Sequence, residues 1–297
     1  TVLNALATGT GAAFGIDVET RATVELDPAA DGVDGEIAED AAADTALIER
    51  CVALATERWG DGEGGSVRTD SDVPLAAGLK SSSAAANATV LATCDALGLA
   101  VGDGDRASDD AVGDDPGDPA VDVTRLEACR LGVRAAREAG VTVTGAFDDA
   151  TASMLGGVTV TDNDADELRA RETVDWDVLV WTPPERAYSA DADVAGCEAV
   201  APMADLVADL ALDGRYGEAM TVNGLAFSAA LGFDADPAVE AMPHATAVSL
   251  SGTGPSVVAV ADPADPETDL DAVADAWGDR PGTLRRTATR NDGATVE

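Results

Sequence analysis

From Val18 to Leu26 the chain alternates strictly, with Val18, Thr20, Ala22, Val24 and Leu26 set against Glu19, Arg21, Thr23 and Glu25. A period of two marks a half-buried strand. The stretch before it, Val2 to Ile16, is apolar and carries an embedded Gly9-Thr10-Gly11. A loop rich in Asp and Gly follows, and then Leu47, Ile48, Cys51, Val52, Leu54 and Ala55 form one apolar face of a helix over residues 41–58. The pattern next predicts a short strand near Val73, a glycine-serine loop at Gly78–Ser83 and a buried, alanine-lined helix from Ser83 to Leu97. Residues 102–122 read as a solvated loop or insertion. Thr124-x-x-Glu127 has capping-box form and opens a helix to about Ala139. An Asp pair and a Gly pair then precede a strand at Val158–Thr161.

The acidic stretch Asp162–Glu172 is the expected domain boundary, dividing residues 1–161 from 162–297. Beyond it the pattern gives a strand at Val178–Thr182, helices near 197–212 and 216–231, and a glycine loop at 251–255. A strand at Val257–Ala261, a helix at Leu270–Trp277 and a final strand near 283–289 complete the chain. Strands and helices do not alternate regularly enough for a doubly wound parallel sheet, so the fold class is α+β in two domains.

Composition changes this picture in three ways. Eighteen basic residues, of which Lys80 is the sole lysine, stand against 56 acidic ones for a net charge of −38. Such a field repels nucleic acid and anionic lipid, yet a loop of backbone N–H groups can still hold a small phosphate. Many small residues and Arg in place of Lys match a protein adapted to molar salt, where the Debye length is about 3 Å and neighbouring carboxylates repel weakly. No apolar run approaches the ~20 residues of a membrane-spanning helix, and the stretch from Thr1 lacks the basic start of a signal peptide. Cys51, Cys94, Cys129 and Cys197 form no Cys-x-x-Cys pair and read as buried free thiols of a cytoplasmic protein. The single histidine, His244, rules out a His-rich zinc site and reads as structural.

Three loops carry the candidate chemistry: Ala7–Gly11, Pro74–Ala84 and Ser249–Ser256. The second lies between an expected strand and a helix, whose free first-turn N–H groups and positive dipole end would face whatever the loop encloses. It is not a Walker-type P-loop, because Lys80 follows Leu79 and not Gly. The glycines 9, 11 and 15 likewise miss the dinucleotide fingerprint. Asp162-Asn-Asp-Ala-Asp166 fails as a calcium loop, having Glu167 where Gly is needed and Thr173 where Glu is needed. The four tryptophans are scattered singly and read as packing residues.

Taken in order, four segments resemble the superfamily of galactokinase, homoserine kinase, mevalonate kinase and phosphomevalonate kinase (GHMP). They are Asn4–Asp17, the central Gly-Leu-Lys-Ser-Ser-Ser at 78–83, Thr144–Ala150 and Ser251-Gly-Thr-Gly-Pro-Ser256, so the likeness covers essentially the whole chain. The branch it resembles is that of the archaeal shikimate kinases, where Lys commonly stands at the position of Lys80 in place of the superfamily's Gly. The resemblance implies a two-domain fold with a left-handed crossover in the first domain, a ferredoxin-like second domain, and a cleft site between them. It implies ATP and Mg2+ as cofactors and shikimate as the small-molecule acceptor. Homoserine kinase activity, or a ligand-sensing homologue without turnover, stays open as an alternative.

The same resemblance assigns residues. ATP falls to Pro74, Leu75, Ala76, Ala77, Gly78, Leu79, Lys80, Ser81, Ser82, Ser83 and Ala84, with Gly252 and Gly254 of the third loop. Magnesium falls to Ser82 and Glu138, the latter otherwise a solvated glutamate at a helix end. Asp149, seven residues before Gly156, is the catalytic base or the carboxylate that orients the hydroxyl, with Asp148 in support or as its alternative; capping of the next helix is the plainer role for both. Lys80 contacts phosphate or positions its loop, or is a solvated loop residue.

Overall fold

The computed structural model describes residues 1–73, 78–103, 121–185 and 194–297. Strand β1 (Thr10–Phe14) pairs antiparallel with β7 (Val158–Asp162), matching Thr10 to Asp162 and Phe14 to Val158, and β8 (Glu167–Glu172) completes that sheet. A second sheet holds β2 (Thr20–Asp27), β4 (Gly64–Ser71) and β3 (Val33–Ile37) in the order β2-β4-β3. Its β3–β4 pair is parallel and is joined through α1 (Ala46–Trp59), the crossover such a pairing requires.

Helices α2 (Ser81–Ala96), α3 (Arg125–Glu138) and α4 (Phe147–Leu155) pack with α1 around Cys51, Leu54, Val90, Cys94, Cys129, Phe147 and Met154. The capping box that starts α3 is present in both directions, Thr124 accepting from Glu127 N and the Glu127 side chain accepting from Thr124 N. Two-residue strands β5 (Val101–Gly102) and β6 (Val123–Thr124) pair in parallel on either side of the insertion, most of which lies outside the described residues.

The remainder comprises β9 (Asp177–Thr182), α5 (Val194–Glu198), α6 (Ala201–Leu212), α7 (Tyr216–Leu231), α8 (Asp236–Ala241), β10 (Ala247–Leu250), β11 (Val257–Ala261), α9 (Leu270–Trp277) and β12 (Thr283–Ala288). Its four strands form one antiparallel sheet in the order β10-β11-β9-β12. Numbered within this half, the order is 2-3-1-4 with helices after the first and third strands, which is the ferredoxin-like arrangement. One face of the sheet packs on α6 and α7 through Val178, Val180, Val258 and Phe227, and the other on α8 and α9 through Leu179, Val248 and Trp277.

Several expectations change. The strand foreseen near Val73 ends earlier, at Ser71, and residues 27–41 conceal β3, whose alternation is diluted by Asp34, Gly35 and Glu36. Short β10 and α8 were not foreseen either. Residues Asp162–Glu172 form a tight turn and β8, and one apolar cluster of the described residues joins Val2, Leu3 and Val160 to Val180, Phe227 and Leu250. All four cysteines are free and buried, and burial pushes the thiols of Cys51 and Cys94 up to about 12. No helix among the described residues is long and apolar enough to cross a membrane.

Candidate active site

Helix α4 brings the two aspartates inside. Its N-cap is Ala146, held at φ 51°, so Asp148 and Asp149 stand in the first turn and not at the cap, and both are buried. Asp149 Oδ2 accepts from Lys80 Nζ at 2.5 Å, the most buried ion pair among the described residues. Asp149 Oδ1 is buried without a partner, which leaves one lone-pair face of this carboxylate available to a ligand.

Lys80 is placed by an unusual backbone. It is the N-cap of α2 at φ 66° and ψ 30°, the left-handed region where glycine is at home and a lysine is strained by about 1 kcal/mol. This explains why a Gly would serve at this position. Here the same geometry sends an ammonium group down toward Asp149. Gly252 (φ 59°) makes room for it, since a Cβ there would lie 2.7 Å from Lys80 Cε. Burial works against the charge on Lys80, but the carboxylates of Asp149 and Asp148 outweigh it and hold the ammonium above its usual range. Burial, and then the charge of Asp149, pushes the Asp148 carboxyl up to about 6, with Lys80 and a hydrogen bond from Asn163 pulling the other way.

Three chain segments lock around this pair. Ser251 Oγ donates to Gly78 O at 2.9 Å, and Asn4 Nδ2 donates to Gly252 O at 2.8 Å. Asn4 N in turn donates to Asn223 Oδ1 at 2.8 Å. Gly78 (φ 75°) cannot carry a side chain, because a Cβ would meet the carbonyl oxygens of Gly254 and Ser251 at 2.5 Å. The second and third glycine loops are thus in direct contact. Helix α2 has no side-chain cap and no acid in its first turn, so the N–H groups of Ser81, Ser82 and Ser83 make a helix start suited to an anion.

Two recesses meet at Lys80 and Asp149. One, of about 40 Å³, is bordered also by Asn4, Leu6, Thr144, Asp148 and Thr253. The other, of about 540 Å³, is bordered by Phe14, Leu79, Asn87, Ser153 and Arg290 among others. Both residues line both spaces.

Of the assigned residues, Gly78, Leu79, Lys80, Ser81, Ser82, Ser83, Ala84, Gly252 and Gly254 gather here with Asp148 and Asp149, whereas Pro74, Leu75, Ala76 and Ala77 lie outside the described residues. Glu138 is not brought in. It ends α3 on the surface, with one carboxylate oxygen bonded to Arg50 at 2.5 Å and the other to Arg134 at 2.8 Å. One residue earlier, about 100° around the helix, the equally exposed Arg137 bonds Asn163 O and both oxygens of Asp166. Glu138 is thus paired with two arginines, and no group of three or more acidic, His or Cys residues suited to a metal occurs among the described residues. His244 is half-buried away from both recesses.

Sequence reasoning missed Asn163, which is fully buried and bonded to Asp148, and the close approach of Gly11. A Cβ at Gly11 would lie 2.6 Å from Asp148 Cγ. Gly11→Ala is expected to destabilise the fold by about 1–3 kcal/mol and to shift the Asp148 carboxylate. Thermal unfolding and kcat measured on the same variant check this, and wild-type values for both would contradict the packing.

Buried carboxylates facing a lysine at a helix start, in a cleft beside a ferredoxin-like sheet, define a small-molecule kinase of the GHMP kind. The comparisons agree: residues 46–111 match the GHMP kinases N terminal domain. A mevalonate kinase of Methanococcus jannaschii superposes with a TM-score of 0.69 at 12% identity, over 97% of this chain and 95% of that one. Homoserine kinase from Cytophaga hutchinsonii gives 0.68 at 15% identity, over 99% and 94%. The shikimate kinase of Halobacterium salinarum is 60% identical over 294 residues, 99% of this chain and 95% of that protein. That of Methanococcoides burtonii is 45% identical over 298 residues, with coverage of 99% and 95%. The chain belongs to the shikimate kinase family within the GHMP kinases.

Proposed function

We propose that this protein transfers the γ-phosphoryl group of ATP to the 3-hydroxyl of shikimate. The observation that carries the chemistry is the position of Lys80 and Asp149 on the shared wall of the two recesses, where a donor phosphoryl and an acceptor hydroxyl must meet. The acceptor itself rests on the shikimate kinase relatives, 60% identical over nearly the full chain.

Each group then has a task. The unpartnered Oδ1 of Asp149 accepts the hydrogen bond of the acceptor hydroxyl and orients its oxygen for in-line attack. Lys80 commits one of its three donors to Asp149 and has two left for phosphoryl oxygens, where charge accumulates in the transition state. The first-turn N–H groups of α2 hold the remaining phosphates. Asp148 supports Asp149 from behind as a second carboxylate able to share the released proton. A divalent cation bound to the phosphate oxygens belongs to the proposal, with Ser82 beside the loop as one ligand and Glu138 as another only if it leaves Arg50 and Arg134.

The test is a coupled assay of ADP release in molar KCl with shikimate, homoserine and mevalonate as acceptors. Turnover with shikimate is expected. Turnover with homoserine alone would replace the acceptor, and tight shikimate binding without turnover would make the protein a ligand sensor.

A further inference from the structure

The acidic turn between β7 and β8, which fails as a calcium loop, has a different content. Its outer members build a rigid bend: Asp162 Oδ1 accepts from Asp164 N at 3.1 Å and Ala165 N at 3.2 Å. Asp166 takes both arms of the Arg137 guanidinium. The residue inside the bend, Asn163, is pinned by its backbone, with its N–H on Gly9 O at 2.9 Å and its carbonyl on Arg137 Nη2 at 2.9 Å. Its side chain is completely enclosed and reaches Asp148 twice. Nδ2 donates to Asp148 Oδ1 at 2.8 Å, and Oδ1 accepts from Asp148 N at 3.1 Å. Thr161 Oγ1 also donates to Asn163 Oδ1, at 2.7 Å. Two donors on the oxygen and a carboxylate on the nitrogen leave the amide one orientation.

We infer that Asn163 is a positioning residue of the phosphoryl-transfer centre, whose amide N–H holds Asp148 in its ionised form and fixes its place beside Asp149. This rests on the reading of Asp148 and Asp149 as the reacting pair. A lone buried carboxylate surrounded by Gly11, Phe147 and a second carboxylate has every reason to take up a proton. The groups that oppose this are Lys80, ahead of α2, the Nδ2 donor of Asn163 and the backbone N–H of Asp149, while the Asp149 carboxylate on its own helix favours it. The amine of Thr1 also interacts with Asp148, and burial lowers it to about 5; the Arg137 guanidinium is spent on Asp166. An asparagine is needed at 163 because an aspartate of the same shape would keep the contact with Asp148 N but put a third carboxylate where the donor was.

Asn163→Asp is nearly isosteric and tests this directly. It removes a hydrogen bond to ionised Asp148 and adds a like charge, so both changes favour the protonated form. The acid limb of the kcat–pH profile is expected to move up by about one pH unit or more, with kcat at pH 7 falling about twofold or more while the KM values for ATP and shikimate change by less than about twofold. A purely structural asparagine would lower stability without moving the limb. Thr161→Val, which frees the amide oxygen of one donor, should shift the limb the same way by less, and serves if Asn163→Asp does not fold. A profile coincident with wild type in the variant that folds would overturn the inference. Failure of the parent reading looks different: Asp149→Asn would then remain active, whereas an inactive Asp149→Asn with an unshifted profile in the 163 variant defeats the role of Asn163 alone.

Discussion

Asp149→Asn is expected to lower kcat by about 10³-fold while changing the KM for ATP by less than about threefold. The substitution preserves the volume of a buried side chain, so the fold should survive. Its amide, however, must present either an oxygen or a nitrogen to Lys80. With oxygen on Lys80, the inner face offers N–H donors to a hydroxyl that needs an acceptor; with nitrogen on Lys80, two donors oppose each other. Either arrangement fails to orient the attacking oxygen. Steady-state kinetics together with ATP binding by calorimetry decide the matter. A kcat within about tenfold of wild type would remove Asp149 from the reaction.

Lys80 gives the second large effect. Lys80→Met strips the counter-charge from two adjacent buried carboxylates and is expected to cost about 3 kcal/mol of stability and about 10²-fold or more in kcat. Lys80→Gly separates charge from shape. Glycine accepts the left-handed backbone without strain, so the loop keeps its course while the ammonium is lost. If charge is what matters, both variants lose activity alike; if Lys80 only shapes the loop, the glycine variant stays active.

The pH sign follows from Asp148, whose carboxyl is raised from 3.8 to about 6. It is ionised above that value, so kcat should fall as pH drops through about 6. Stability runs the other way. Between about 6 and 3.8 the folded chain takes up a proton that the unfolded chain does not, so this group's contribution favours folding as pH falls. Removing Lys80 deepens the preference for the proton and moves the activity limb upward.

Legibility followed the range of the cause. Helix α9 and strand β11 were readable to the residue because Leu270–Trp277 and Val257–Ala261 carry their own period and are bounded by turn residues. The capping box of α3 is likewise written in four consecutive residues. Strand β3 was not, since Val33 and Ile37 are held by pairing with Gly65 and Thr69 on a strand about 30 residues away. At the site, the glycine loops and the Asp pair were legible because backbone demands and chemistry restrict them to few residue types. The surroundings of Glu138 were not legible because spacing along a helix does not say what a side chain pairs with, and here it meets Arg50 and Arg134. Asn163 was hidden because an asparagine amid four acids reads as a solvated turn, and only the return of β7 alongside β1 folds it onto Asp148.

The contact between Gly78 and the Ser251–Gly254 loop also bears on how such proteins can be recombined. The carbonyls that crowd Gly78 are contributed about 170 residues later in the chain, and the amide that anchors Gly252 comes from Asn4 at its other end. A chimera joined at 161/162 from two members of the family would inherit the two halves of this lock from different parents. Its phosphate loop would be set by whichever third loop came with it. The two halves are therefore expected to exchange freely only between relatives that agree at positions 4, 78, 80 and 251–254, however alike or unlike they are elsewhere.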